Sequence, residues 1–299
     1  MEEFKGQNML SFIKEFSDDA SCKAYLSKLK WQDGFTCTKC CHTKGCMKSD
    51  YKYECYQCHH VESATSNTLF HKVKFGLQKA FCMVFEMSTS SKSISSIQLG
   101  LRYNVSQTST WFFMQKVRKA MQSSQNYLLE NIVHVDEFVV GGHEIGKQGR
   151  SYNTKKKKAV IAVELTDNKK IKRAYIKAID DYSSKSLTPI FEQHISTQAT
   201  ITTDKWRGYN KLKDKYNLTQ VESNFGSNFK ELHIVIQSIK SWIRAIPTHV
   251  SKKHAQAYCD EFCFRLNRSQ FKETIFHKCI DRMIKAKPIF QYQLIQKLN

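Results

Sequence analysis

Hydrophobic and polar residues follow two different periods along the chain. In residues 9–31 and 75–121 the apolar positions recur at helical spacing, and Ser17-Asp18-Asp19 supplies a cap between two short helices in the first of these regions. From residue 131 onward, β-branched and apolar runs at 132–140, 158–165 and 171–179 predict strands. The pattern therefore predicts a multidomain α+β chain.

The second half has the element order of a known architecture. Three predicted strands are followed by a helix over about 184–194, a short strand ending at Asp204, and a helix from about residue 230. Strand, strand, strand, helix, strand, helix is the order of a ribonuclease-H-like domain, in which helices flank a mixed α/β sheet.

Two of the predicted strands contain or end in acids. Asp136 and Glu137 interrupt the apolar run His134–Gly142, and Asp204 ends the run Ala199–Asp204. A buried carboxylate costs several kcal/mol unless it is paired, neutralised or bound to a metal. If the strands are neighbours, Asp136 and Asp204 can share two Mg²⁺ ions about 3.5–4 Å apart, the arrangement used for in-line phosphoryl transfer. The alternative is that Asp136 and Glu137 are solvated at a strand end.

A third metal ligand is expected on the helix that starts near residue 230. His233 and Lys240 are seven residues apart and share one face of this helix, whereas Glu231 is rotated away by two residues. Arg244 lies one turn beyond Lys240. Asp260 and Glu261, on a later predicted helix, are alternatives, but pairing with nearby Arg and Lys is favoured for them.

Four cysteines have the spacing of a structural zinc site. Cys37 and Cys40 form one Cys-x-x-Cys knuckle, and Cys55 and Cys58 form a second. Four thiolates in two knuckles are typical of a zinc ribbon with a closed tetrahedral Zn²⁺ site. Four unrelated core cysteines are the alternative, and substitute ligands are available nearby at Cys41, Cys46, His59 and His60.

Residues 93–121 have the rhythm of a helix-turn-helix. A short helix, a turn around Asn104 and a second helix capped by Ser106 would place Gln107 and Thr108 against base edges, with Arg118 further along the same helix. An ordinary helical hairpin would give the same pattern.

The charge points to a polyanionic partner. A formal net charge of +20 and a pI near 9.4 favour nucleic acid, with an anionic membrane surface as the rival. No apolar run approaches the roughly 18 residues of a membrane span, and the N-terminus lacks the features of a signal peptide. We expect a cytoplasmic, nucleoid-associated protein with reduced cysteines. A Gly- and Lys-rich stretch carrying Lys155, Lys156 and Lys157 is either a mobile hairpin tip or a clamp for the DNA backbone.

From about Phe12 to Arg268 the chain resembles the bacterial DDE-type insertion-sequence transposases that carry an N-terminal zinc ribbon, relatives of the eukaryotic Merlin elements. The resemblance rests on several motifs in one order: Tyr25-Leu26, Trp31, Gly34-Phe35, the two cysteine knuckles, Met87-Ser88-Thr89-Ser90, Val135-Asp136-Glu137 with Gly141-Gly142, Thr203-Asp204-Lys205-Trp206-Arg207-Gly208-Tyr209, and His249 to Arg268. It implies cut-and-join DNA transposition, with Asp136 and Asp204 as the first two catalytic acids.

One position departs from the family pattern. Many members have a Glu, or in some an Asn, seven residues before a Lys. Lys240 matches that Lys, but His233 occupies the acid position. Either His233 is the third ligand, or Glu231 reaches the metals by a local shift, or the site is weakened. Imidazole is a poorer ligand for Mg²⁺ than carboxylate, so activity would lean toward Mn²⁺.

These observations define the expected organisation. N-terminal helices occupy 1–34, the zinc ribbon 35–70, a helix-turn-helix-like DNA-binding region 71–127, the catalytic domain 128–270 and a helical tail 271–299, which would pack on the catalytic domain or on another subunit. The ribbon and helix-turn-helix would bind element ends, and Lys240 and Arg207 would position phosphates of end and target DNA. The family implies action as a dimer or higher oligomer. The rivals are a DNA-binding regulator and a transposase that has lost catalysis but still binds its ends.

Overall fold

The computed structural model describes residues 3–140, 156–244 and 251–295. They form two compact units, one comprising Met1–Met121 with Gln270–Asn299 and the other comprising Gln122–Ser269. We call them the N/C unit and the central unit. Lys155 and the Gly141-Gly142 pair lie outside the described residues.

The N/C unit is mainly helical. Its helices are α1 (Met9–Glu15), α2 (Asp19–Lys30), α3 (Leu77–Thr89), α4 (Ser96–Tyr103), α5 (Gln107–Met121), α9 (Ile275–Lys285) and α10 (Gln291–Ile295). The predicted cap is confirmed at the start of α2. The Asp18 carboxylate accepts from the backbone N–H of Ser21, and the Ser21 hydroxyl oxygen accepts from the backbone N–H of Asp18.

Aromatic rings form the core of this unit. Phe12, Phe16, Phe85 and Phe276 are buried, and their rings contact one another with centroids 4.2–6.0 Å apart. Phe276 comes from α9, which packs against α2, α3 and α5. The segment after Arg268 therefore completes the core of the N/C unit, an arrangement not among the two considered for it.

A small antiparallel sheet carries the cysteines. Its strands are β1 (Gly45–Met47), β2 (Lys52–Cys55) and β3 (Val61–Ser63), in the order β1-β2-β3.

The central unit is built on a mixed five-stranded sheet. Its elements are β4 (Ile132–Val140), β5 (Lys157–Leu165), β6 (Ile171–Ile179), α6 (Ser184–His194), β7 (Thr200–Asp204), β8 (Leu218–Val221), α7 (Lys230–Arg244) and α8 (Ala255–Leu266). The strand order is β6-β5-β4-β7-β8. β4, β5 and β6 pair antiparallel, as the predicted meander requires, whereas β4, β7 and β8 are parallel. Strand β8 was not predicted.

Both faces of this sheet are covered. Phe138 of β4 belongs to a core shared with α7 and α8, and Val133 and Val135 belong to a second core shared with α6. Alternate residues of a strand point to opposite faces. Even-numbered residues of β4 therefore face α7, which places Asp136 on that side. Within the described ranges, the structure has no helix long and apolar enough to cross a membrane.

Candidate functional site

Two acids meet at the carboxyl ends of neighbouring parallel strands. β4 and β7 pair in parallel through Val135 and Thr203, so Asp136 and Asp204 follow directly on adjacent strands. Asp136 Oδ1 accepts from the Glu137 backbone N–H at 2.8 Å, and Asp204 Oδ1 accepts from the Trp206 N–H at 3.1 Å. The predicted proximity of Asp136 and Asp204 is therefore present.

Glu137 joins them. Carboxylate oxygens of Asp136, Glu137 and Asp204 all lie within 4.8 Å of one another, and all three residues are partly buried. Glu137 was noted beside Asp136 in the sequence but was given no role as a metal ligand. Neighbours in a regular strand project to opposite faces, so its presence in the cluster is not what alternation alone predicts. Glu137 lies beyond the last pair between β4 and β7, where its flank is not covered by a β7 partner. Its position next to Asp136 in an apolar run was the available signal.

The segment after Asp204 builds the other wall of the site. Tyr209 is fully buried, and its burial and the nearby Glu137 carboxylate raise the pKa of its hydroxyl well above the ordinary range. Trp206 Nε1 donates to the Tyr182 carbonyl at 2.8 Å. A Cβ at Gly208 would lie 2.6 Å from Trp206 Nε1 and 2.8 Å from that carbonyl, so only glycine fits there without displacing them.

His233 of α7 faces the acids. Its Nε2 atom lies 3.9 Å from Asp136 Oδ2, beyond hydrogen-bond distance. This nitrogen is buried and has no hydrogen-bond partner within the described part of the chain. Burial, and secondarily the charge of Lys240, lower the pKa of His233, which favours the neutral imidazole that binds metals. Glu231 is not a member of the acid group among the described residues; its charge acts instead on His134, whose pKa is lowered by burial.

A lysine of α7 lies near the acids. Burial and the charge of Arg244 lower the pKa of Lys240, while Asp136 acts in the opposite direction and Lys156 adds a further positive charge. Arg244 and Arg207 are exposed, and the Arg207 guanidinium lies 5.7 Å from the centroid of the Trp206 ring. Lys157 begins β5 and is half-buried. Lys240 is therefore a cation near Asp136 that is suited to phosphate contact.

Oxygen donors of this kind fit a hard divalent cation. Mg²⁺ takes carboxylate oxygens and keeps positions for water and phosphate. The Asp136, Glu137 and Asp204 cluster has the required donor chemistry and spacing, and the bare Nε2 of His233 points to the same place.

The four predicted cysteines form a second cluster, in the N/C unit. The Sγ atoms of Cys37, Cys40, Cys55 and Cys58 all lie within 4.8 Å of one another, and the pairs 37–58 and 40–55 are 3.6 Å apart. A tetrahedral site with Zn–S bonds of about 2.3 Å has sulfur–sulfur edges of about 3.8 Å, so the arrangement fits Zn²⁺. Burial would raise the pKa of Cys37, but backbone hydrogen bonds at Cys40 and Lys39 outweigh it and lower the pKa to about 7. The alternatives Cys41, Cys46, His59 and His60 are not members of this cluster.

The predicted recognition helix is only partly exposed. Gln107 and Thr108 lie at the exposed start of α5, where Gln107 Nε2 donates to Ser96 Oγ at 3.0 Å. Arg118 is only 1% exposed. A buried guanidinium cannot reach a phosphate or a base edge, so the prediction of Arg118 as a DNA contact is corrected: the apolar face of α5 carries it into the interior.

Within the described residues, the acids at the ends of adjacent parallel strands form a candidate site for hard cations, and the thiol cluster forms a candidate site for zinc. Residues 128–267 match the ISXO2-like transposase domain. This match supports a DDE-type insertion-sequence transposase, and the resemblance stated from the motifs is confirmed over these residues. The family implies a DNA-processing enzyme with DNA as its partner. No curated protein matches the sequence.

Proposed function

We propose that this transposase binds the ends of an insertion sequence and catalyses metal-dependent cleavage and transfer of DNA strands. The observation that carries the proposal is the meeting of Asp136, Glu137 and Asp204 within 4.8 Å at the ends of β4 and β7, inside the segment that matches the transposase family. Three carboxylates brought this close repel one another unless a cation or a proton offsets their charge.

In this proposal Asp136, Asp204 and Glu137 hold Mg²⁺ or Mn²⁺. The bound ions supply charge stabilisation at the attacking and leaving oxygens of an in-line phosphoryl transfer. Lys240, Arg244, Lys156 and Arg207 hold the phosphates on either side of the scissile bond. Contacts of this type make DNA affinity fall steeply with salt.

His233 is our choice for the ligand contributed by α7. Its buried Nε2 has no hydrogen-bond partner in the described chain and lies 3.9 Å from Asp136 Oδ2, so a small side-chain adjustment brings it to a shared metal. Glu231 is associated with His134 and would have to leave that position. The imidazole supports the expected preference for Mn²⁺ over Mg²⁺.

We also propose folds and roles for the other regions of the chain. The order β6-β5-β4-β7-β8, with β5 antiparallel to both neighbours, supports a ribonuclease-H-like catalytic domain over 128–270. The thiol cluster supports a zinc ribbon over 35–70, and α4 and α5 support a helix-turn-helix that binds the element ends through Gln107 and Thr108. We further propose that the protein acts as a dimer on paired ends in the nucleoid.

Nicking of a labelled duplex carrying the repeats that flank the gene tests the proposal. We compare wild type with Asp136→Asn, Asp204→Asn, Glu137→Gln, His233→Ala and Glu231→Gln, each in Mg²⁺ and in Mn²⁺. Loss of cleavage in both Asp variants, with full activity in Glu231→Gln and loss in His233→Ala, is the expected result. Cleavage that survives both Asp substitutions would contradict the assignment of the active site.

A second candidate function has one observation in its favour, the His at the position of the family's acid. In that case the protein binds element ends without cutting them. Tight, sequence-specific end binding by wild type with no nicking in either metal would favour it over the transposase reaction.

A further inference from the structure

A groove in the N/C unit lies apart from the thiol cluster and from α5. It has a volume of about 370 Å³ and is bordered by the start of α2, the β1–β2 turn, the residues after β3 and the segment before α3. Pockets that hold small ligands run from about 300 to 1,000 Å³, so this volume suits a ligand of roughly one nucleotide.

The acids of the groove are already engaged within the protein. Asp19 Oδ1 accepts from the Gln78 backbone N–H at 2.8 Å and so caps the start of α3. Asp50 forms an ion pair with Lys52. Both carboxylates therefore have partners within the protein. The Gln78 N–H and the Lys52 ammonium partly offset their negative charge, which weakens their repulsion of an anion in the groove.

Two lysines of the groove remain available. Lys23 and Lys74 line it and are exposed, and no ion pair joins either to an acid in the residues that the structure covers. Two cations at the rim of a cleft attract an anionic group such as a phosphodiester.

An aromatic residue lines the same groove. Tyr51 sits in the β1–β2 turn with φ of +60°, a left-handed conformation that favours Gly, Asn or Asp over an aromatic residue. Val73, Leu77 and Ala64 add apolar lining. A ring and apolar lining beside unpaired lysines is the combination that holds a base by stacking and its phosphates by charge.

We propose that this groove binds an unpaired nucleotide of DNA, with the base against Tyr51 and the flanking phosphates at Lys23 and Lys74. The proposal rests on the proposed function only in taking DNA as the partner. The nucleotide would come from a strand frayed or released at the element end. This site is separate from the acid cluster and from the helix-turn-helix contacts.

The test uses the full zinc-loaded chain and a short oligothymidylate carrying one 5-iodouracil, as a single strand and as the fully paired duplex. Irradiation should crosslink the single strand to Tyr51, located by mass spectrometry. Tyr51→Asn, which keeps a residue suited to the left-handed turn, and Lys74→Gln should each lower single-strand affinity about tenfold, and Tyr51→Phe should retain it. Tyr56→Asn, at an exposed ribbon tyrosine outside the groove, and Lys14→Gln, at an exposed lysine of α1, are the matched controls.

Each failure has a different meaning. If Tyr51→Asn loses zinc, Lys74→Gln and the crosslink position decide, since Lys74 lies outside the ribbon. Wild-type affinity in Lys74→Gln with the crosslink elsewhere would overturn the groove and leave the transposase proposal intact. Equal losses for duplex and single strand would overturn the unpaired nucleotide in favour of a duplex backbone contact. Wild type that binds neither DNA would overturn the groove, and the duplex carrying the flanking repeats then decides the proposed function separately.

Discussion

At the scale of single residues, the acid cluster makes a prediction that does not depend on catalysis. Mg²⁺ should stabilise the wild-type protein, by about 2.7 kcal/mol at a concentration 100 times its Kd, because it binds the folded cluster and not the unfolded chain. Asp204→Asn should lose most of this effect while retaining an oxygen that can accept from the Trp206 N–H. Thermal unfolding with and without Mg²⁺ measures the difference.

The same substitution has the opposite effect without metal. In the zinc-loaded chain without added Mg²⁺, Asp204→Asn should be at least as stable as wild type, because it removes one of three carboxylates within 4.8 Å of one another. Glu192→Gln, at an exposed acid of α6 outside the cluster, is the matched control and should leave the Mg²⁺ effect unchanged. An Mg²⁺ effect of wild-type size in Asp204→Asn would show that the ion binds elsewhere.

A second residue-scale prediction concerns His194, which lies in the interior with its ring stacked on Tyr175 at 4.2 Å between centroids. Burial, aided by the charge of Lys177, lowers the pKa of His194 to about 4. The unfolded chain, with a pKa near 6.5, binds this proton more readily, so stability is fully present above about pH 6.5 and is lost as the pH falls toward 4.

The loss expected from His194 is about 3 kcal/mol across that window. Denaturant unfolding at a series of pH values measures it as the difference between wild type and His194→Phe, which cannot take up the proton. Parallel pH profiles for the two proteins between pH 7 and 4 would mean that His194 titrates normally in the folded state.

At the scale of elements, a buried ion pair between Lys30 of α2 and Glu62 of β3 links α2 to the small sheet of the N/C unit. Lys30 Nζ lies 2.6 Å from Glu62 Oε1 and also donates to the carbonyls of Ser63 and Ser66, and the Glu62 side chain is only 2% exposed. Lys30→Met should lower the free energy of unfolding by about 3–5 kcal/mol, because it leaves the Glu62 carboxylate buried without its cation.

Two variants separate the ion pair from general effects on α2. Lys28→Met, at an exposed lysine of the same helix, should change the unfolding free energy by no more than about 0.5 kcal/mol. Lys30→Met combined with Glu62→Leu should recover part of the loss, since no charge is then left unpaired. Denaturant unfolding of the zinc-loaded chain measures all three, and equal effects of Lys30→Met and Lys28→Met would contradict the role of the pair.

The elements themselves were largely readable from the sequence. The strands around Asp136, 158–165 and 171–179, the helices around Asn104 and the thiol cluster follow from local periods and spacing, which act within a few residues. The membership of Glu137 in the acid cluster could not be predicted from local periodicity, because it depends on where β7 stops pairing with β4. Arg118 was misplaced for a similar reason: charge suggests a surface, but the tertiary environment of α5 buries it.

At the scale of the whole molecule, the N/C unit is formed by two stretches that are separated in sequence. The N/C unit is interrupted after Met121, and the chain returns to it from Gln270 after completing the central unit. The return is stabilised by backbone contacts, such as the Leu69 N–H donating to the Met283 carbonyl at 3.0 Å, and by Arg282, which donates to the Ala120 carbonyl at 3.0 Å. We therefore expect the fold of the N/C unit to depend on residues after Gln270.

Phe276 tests this dependence. Its ring is fully buried among Phe4, Phe12, Phe16, Phe81 and Phe85. Phe276→Ala should cost about 3–5 kcal/mol through lost burial and the cavity it leaves. Phe271→Ala, at a phenylalanine that is 65% exposed, should cost less than about 0.5 kcal/mol.

Native-state hydrogen exchange can assign the loss of stability in Phe276→Ala to a region of the chain. Protection should fall in the helices within residues 9–121, far away in sequence, and persist in β4 to β7. A loss confined to residues near 276 would mean that the N/C unit holds together without α9.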